Sequence, residues 1–188
     1  YLLIKDLVGY KSGKYFGNMN KIKEVSKDNE SVIKREEILE AFQNYRRARD
    51  LASKTGDWNI WADLFTEDAH YVEHAYGEMN GRETIRKWIC DVMAPFPTMT
   101  FPEGWSVIDE ERGAVVWEVF NAYPEPFQAD GTPYRFPNWS RLVYGGNGLW
   151  KSEEDIYNPA KDAPEVTRAW IKAGGKFKTP EQVKMVHN

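Results

Sequence analysis

His70 and His74 stand four residues apart in Asp68-Ala69-His70-Tyr71-Val72-Glu73-His74-Ala75-Tyr76, and they are two of the chain's three histidines. An imidazole changes charge near about pH 6.5, so histidine is well suited to take and return a proton at neutral pH. If the segment is a strand, its period of two places His70, Val72, His74 and Tyr76 on one face and Tyr71, Glu73 and Ala75 on the other. The first face mixes apolar bulk with imidazole, as the floor of a ligand pocket would. The competing reading makes both histidines ordinary strand residues, exposed or hydrogen-bonded. On one strand they are too far apart to converge on a metal unaided, and neither a paired-cysteine set nor a His-Glu-x-x-His helix is present. No glycine-rich phosphate loop joins a strand to a helix, and no Gly-x-Ser-x-Gly elbow occurs. Acid-base chemistry without a cofactor or metal is the class that remains.

Such chemistry needs a scaffold that can bury a cavity, and the composition supplies one. The chain has 188 residues, of which 41% are hydrophobic and 14% aromatic, with eight tryptophans and ten tyrosines. That is enough for one domain with a substantial core, although most of these rings would serve only to fill it. A formal net charge of −4 leaves no basic surplus to displace counterions from phosphate, which argues against nucleic acid as the main partner. No apolar run approaches the roughly 20 residues of a membrane span. Cys90 is the single cysteine, which suits a reducing cytoplasm.

The elements follow from periodicity and punctuation. Residues 1–32 read as an N-terminal extension to which no chemistry is assigned. A helix is predicted from Ser31 to Thr55, with Ile38, Phe42, Tyr45, Arg49 and Ala52 as its inward stripe. Tyr45 and Arg49 are the polar members of that stripe. A second helix is expected from Trp58 to Phe65, then a strand, a turn at Glu78-Met79-Asn80-Gly81, and a third helix over Arg82–Ala94 stopped by Pro95-Phe96-Pro97. Antiparallel strands are predicted at Met99–Ile108, Gly113–Tyr123, Pro133–Tyr144 and Gly148–Tyr157, with a rim loop from Pro124 to Thr132. A last helix over Pro164–Gly174 closes a domain spanning 33–174, and 175–188 read as a tail. Helices followed by a curved antiparallel sheet make an α+β cone closed at one end by the helices.

The run Trp58-Asn59-Ile60-Trp61-Ala62-Asp63-Leu64-Phe65, then Glu67-Asp68-Ala69, the strand, and Gly81-Arg82-Glu83-Thr84-Ile85 resembles the nuclear transport factor 2-like superfamily. Within it the likeness is to the SnoaL-like branch, with its ketosteroid isomerases, scytalone dehydratase, epoxide hydrolases and polyketide cyclases. The resemblance covers roughly residues 35–172. It implies a cystatin-like α+β barrel, a curved antiparallel sheet wrapped around the N-terminal helices, and a homodimer. It also implies a cavity that takes a small hydrophobic, aromatic or polyketide-like compound.

Residue by residue, the resemblance places His74 where the isomerases keep their proton-abstracting carboxylate, with imidazole in place of Asp. It places Tyr45 near their oxygen-binding tyrosine, and Glu153, Asp155 and Tyr157 on the strand face that lines their pocket. A buried carboxylate beside an imidazole would hold its tautomer, so His74 and Asp155 are the expected catalytic dyad, with Tyr45. Tyr76, Asn138, Arg49, Val72, His70, Glu153, Tyr157 and Phe136 are the expected ligand-binding set. Glu153-Glu154-Asp155 as a solvated acidic run, and Tyr45 as a core aromatic, are the competing readings. The expected function is a cofactor-independent lyase, dehydratase or isomerase. An epoxide hydrolase would instead need carboxylates flanking an arginine, for which Arg49, Asp155 and Glu118 supply the types. A non-catalytic binding module would have its cavity plugged by side chains.

Overall fold

A computed structural model of the chain describes residues 35–184. Ser31 and the 1–32 extension lie outside the described residues. The elements, in chain order, are α1 (Arg35–Thr55), α2 (Asn59–Ala62), β1 (Phe65–Glu73), β2 (Gly77–Asn80), α3 (Arg82–Met93), β3 (Glu103–Asp109), β4 (Ala114–Ala122), β5 (Arg135–Gly146), β6 (Leu149–Ile156), α4 (Asp162–Lys172) and α5 (Pro180–Lys184). The strands form one sheet in the order β2-β1-β6-β5-β4-β3. All neighbours are antiparallel except β1 and β6, so the sheet is mixed rather than wholly antiparallel.

Helix α1 forms because its apolar residues recur at helical spacing, and Ile38, Phe42, Tyr45, Arg49 and Ala52 are all buried. Phe42 meets Trp117 of β4 edge to face at 5.1 Å, which seats the helix on the inner face of the sheet. The second helix is shorter than predicted and β1 begins at Phe65, where the longer helix was expected to end. Trp58, Trp61, Ala62 and Phe65 are all buried. Phe65 takes its place opposite Trp150 of β6.

The turn after β1 also comes early. The Glu73 carboxylate accepts hydrogen bonds from the backbone N–H groups of Ala75 (2.6 Å) and Tyr76 (2.9 Å), and this fixes the reversal at His74-Ala75-Tyr76. Glu78-Met79-Asn80, predicted as a turn, therefore lies in β2. Arg82 donates to the Phe65 carbonyl at 3.3 Å, tying the start of α3 to the sheet. The β5–β6 hairpin turns on Asn147 and Gly148, with φ values of 54° and 76°, the paired left-handed geometry of a tight two-residue loop.

The C-terminal segment is built into the domain as far as it is described. Trp170 of α4 stacks on Tyr123 with ring centroids 4.5 Å apart, and Phe177 packs edge to face on Trp170 and Phe96. Gly175 passes so close to the Trp170 indole that a Cβ would be driven into it. These contacts form a second apolar cluster beside the main core, and a cavity of about 550 Å³ is lined by residues of both.

Candidate active site

The cavity is floored by side chains that alternate along the central strands. On β6, Glu153 and Asp155 point inward; on β5, Asn138 and Ser140; on β1, Tyr71 and Glu73. The register brings them together, since Ser140 lies opposite Asp155 and Glu73 lies beside Asp155 on the other flank. Tyr45 reaches in from α1, and Trp58, Trp61, Trp88, Phe101 and Trp117 supply aromatic walls.

Asp155 is the hydrogen-bonding hub of this floor. Its Oδ2 accepts from the Tyr71 hydroxyl at 2.5 Å, and its Oδ1 accepts from Asn138 Nδ2 at 2.7 Å and from Ser140 Oγ at 2.5 Å. Burial pushes the Asp155 carboxyl above the ordinary range, and these three donors oppose the shift by stabilising the anion. Glu153 is sealed, with 2% of its surface exposed. Tyr45 donates to its Oε1 at 2.7 Å, while its Oε2 has no partner among the described residues. Burial raises the Glu153 carboxyl well above normal, and the neighbouring Asp155 charge raises it further. Glu153 therefore holds its proton more tightly than a free glutamate does, and the less buried Asp155 lines the cavity beside it. Burial raises Tyr45 and Tyr71 well above the usual phenol range, with the same two carboxyls adding to the shift. Both remain hydrogen-bond donors.

The expected His74–Asp155 dyad does not form. Nε2 of His74 lies 3.2 Å from Glu154 Oε1, and 46% of the side chain is exposed. Nε2 of His70 lies 3.1 Å from Glu78 Oε2. Both histidines sit on the outer side of the sheet with the half-buried Val72, and none of the three lines the cavity. The physical reason is the register of β1: Phe65, Ala69, Tyr71 and Glu73 are buried, so the alternate residues face out.

Glu118, offered for an epoxide-hydrolase arrangement, is also outside, accepting from Trp139 Nε1 at 3.2 Å. Arg49 lines the cavity, but its charge is engaged. Its guanidinium lies over Phe101 and Trp117 at 4.9 and 4.8 Å, and its Nη2 pairs with Asp50 at 2.9 Å.

The remaining expected residues reach the cavity in different ways. Phe136 and Tyr157 line it, and Tyr76 stands at the rim, 58% exposed. Burial and the Glu73 carboxylate raise the Tyr157 hydroxyl. Tyr45 is expected as the oxygen-binding tyrosine, and Asn138 as part of the ligand-binding set. The Tyr45 hydroxyl instead serves Glu153, and Asn138 Nδ2 serves Asp155 and Ser140. Tyr71, Glu73 and Ser140 were not expected in the site. Alternation from Ala69 to Tyr71 to Glu73 puts the first two on the buried face, but exposed Glu67 and Asp68 break its phase from Phe65. The Pro124–Thr132 loop contributes no lining residue; Pro159 and α4 stand at the cavity instead.

Among the described residues no group of three or more histidine, cysteine, aspartate or glutamate side chains could hold a metal ion. No helix there is long and apolar enough to cross a membrane.

Solved structures share the fold at low identity. A protein with a ketosteroid isomerase-like fold from Catenulispora acidiphila, solved with trimethylamine, is 22% identical with a TM-score of 0.52, over 65% of this chain and 92% of that one. An LEH-like epoxide hydrolase from M. tuberculosis is 14% identical with a TM-score of 0.54, over 72% of this chain and 94% of that one. The epoxide hydrolase/cyclase-like enzyme SalBIII of salinomycin pyran-ring formation is 15% identical with a TM-score of 0.53, over 68% and 94%. A search of curated proteins gives no match. The family model described as a SnoaL-like domain matches residues 32–152, and the chain belongs to that family.

Proposed function

We propose that the protein is a cofactor-independent acid-base enzyme, a lyase, dehydratase or isomerase, acting on a small hydrophobic aromatic or polyketide-like compound, with Asp155 as its base. The observation that carries this reading is the three-donor cradle that holds Asp155 in the wall of an open aromatic cavity. A binding module with a plugged cavity is disfavoured by the open volume. A water-activating Asp–Arg–Glu arrangement is disfavoured by the outward Glu118.

In this mechanism the Asp155 carboxylate takes a proton from a carbon or hydroxyl of the bound compound. In its ionised form it is a stronger base than a free aspartate, because burial raises its pKa. As its charge is quenched, the hydrogen bond from Tyr71 weakens, because a donor binds a carboxylate more strongly than a carboxylic acid. The Tyr71 O–H is then available to the oxygen on which negative charge develops. Base and oxyanion donor would be coupled in one step. Burial and the bond from Tyr45 set Glu153 apart from Asp155 in proton affinity; whenever Glu153 is neutral it adds no charge that would press Asp155 toward protonation.

This reading retains the homodimer and a cytoplasmic setting. The outer sheet face, where Trp105, Val107, Trp139 and Ile156 are exposed, is the surface a dimer would cover, and sedimentation equilibrium measures it. The function is tested by incubating wild type and Asp155→Asn with a panel of aromatic alcohols and ketones, including 2-tetralone in D2O. NMR would follow loss of water, fragmentation and C–H exchange. Turnover by wild type that is lost in Asp155→Asn supports the assignment. Equal turnover by both proteins overturns it.

A further inference from the structure

The cavity has a polar end that the chemistry above does not use. Helix α4 faces it with Ala163, Pro164, Thr167 and Arg168. Arg168 is exposed and takes part in none of the ion pairs among the described residues, although Glu165 lies one turn away on the same helix. The other arginine of the cavity, Arg49, is buried between two rings with Nη2 paired to Asp50, although its Nη1 has no partner among the described residues. Arg168 is thus the exposed, unpaired cation among the described residues of a cavity whose buried floor carries Glu73, Glu153 and Asp155.

The helix that presents it is held firmly. The Tyr123 hydroxyl and Thr167 Oγ1 are 2.7 Å apart, Trp170 Nε1 donates to the Pro124 carbonyl at 3.0 Å, and the Trp170 ring stacks on Tyr123. A guanidinium on a fixed helix offers a planar fork suited to a carboxylate. Asn121 of β4 also lines the cavity and adds an amide. Helix α4 itself falls beyond residues 32–152, the part matched by the family model.

We propose that Arg168 forms an anion subsite at the solvent end of the cavity, and that the protein's ligand is an aromatic compound carrying one carboxylate or comparable acidic oxygen. The proposal rests on the reading of this cavity as the active site. Electrostatics then sets the binding direction. The anionic group is drawn to Arg168 and kept away from Asp155, and the aromatic body lies along the tryptophans. The part of the molecule remote from the acid meets the base.

The test uses naphthalene-2-carboxylate and its methyl ester, which share one aromatic body and differ in charge, titrated calorimetrically into the full chain. Wild type should bind the carboxylate about tenfold more tightly than the ester, the scale of one charge-assisted hydrogen bond. Arg168→Gln should lose that preference while binding the ester within about twofold of wild type. Equal loss of both probes, an unchanged preference in Arg168→Gln, or binding of neither probe by wild type would overturn the subsite. Asp155→Asn separates the two claims. A kept carboxylate preference with full turnover sinks the proposed base and leaves the subsite. A lost preference in Arg168→Gln is a statement about Arg168 alone.

Discussion

The two faces of the β1–β6 pair carry the same kinds of side chain to different ends. Outward lie His70, His74, Glu78 and Glu154, joined in imidazole–carboxylate pairs of 3.1 and 3.2 Å that water can reach. Inward lie Tyr71, Glu73, Glu153 and Asp155, one residue out of step, without an imidazole and largely without solvent. An exposed pair gains little, because water competes for both partners and screens their attraction. The buried face shifts the affinities of its carboxyls and phenols for protons, and that shift is what acid-base chemistry requires. A set of catalytic-looking residue types is therefore less informative than the face on which it falls.

Asp155→Asn breaks the inward face at its hub, and on any substrate that the panel identifies it should lower kcat by about 10²–10⁴-fold, measured beside a circular dichroism check of the fold. Tyr45→Phe should come next, now in stability. It leaves a second oxygen of buried Glu153 unpartnered and should cost about 1–3 kcal/mol in urea unfolding. Glu153→Gln sharpens the comparison through pH. The raised folded pKa of Glu153 means that the folded protein holds this proton more tightly than the unfolded chain does. Its stabilising effect is complete below the ordinary carboxylate range and is lost as pH rises through the folded value. The variant should thus lose less stability than wild type as pH rises above the ordinary carboxylate range, read from melting temperatures. The smallest effect belongs to the outward face: His70→Ala and His74→Ala should each change stability by no more than about 0.5 kcal/mol and leave turnover within about twofold. A large loss of turnover in His74→Ala would return chemistry to the face where the sequence suggested it.

The fold was legible because its signals are long and redundant. The stripe from Ile38 to Ala52, the proline stop after α3 and the hairpin at Asn147-Gly148 each point to one local structure. Tyr45 and Arg49 were legible as inward residues from helical spacing, whereas Glu153 and Asp155 were placed on the pocket face by the family resemblance, since Glu153-Glu154-Asp155 alone also reads as a solvated acidic run. The face of β1 was not. Its buried positions run Phe65, Ala69, Tyr71, Glu73, with Glu67 and Asp68 both exposed between them and a register shift against β6. That irregularity removes the phase reference, and a valine flanked by two histidines then resembles an inward face more than a glutamate does. Glu73 is inward because the turn's own N–H groups satisfy it, a compensation that appears only once the chain reverses. The four-residue α2 was misjudged for a related reason, since four buried aromatic and small residues fit a helix and a turn leading into a strand equally well.

The most direct test of the claim that the inward carboxyls form the proton-handling centre is a carbon NMR titration of the Asp155 and Glu153 side chains in wild type, Tyr71→Phe and His74→Ala. Both carboxyls should titrate above the ordinary values of 3.8 and 4.5. The Asp155 midpoint should rise further in Tyr71→Phe, which removes a donor to the anion, and stay in place in His74→Ala. Ordinary midpoints for both groups, or an Asp155 midpoint that follows His74, would contradict the account.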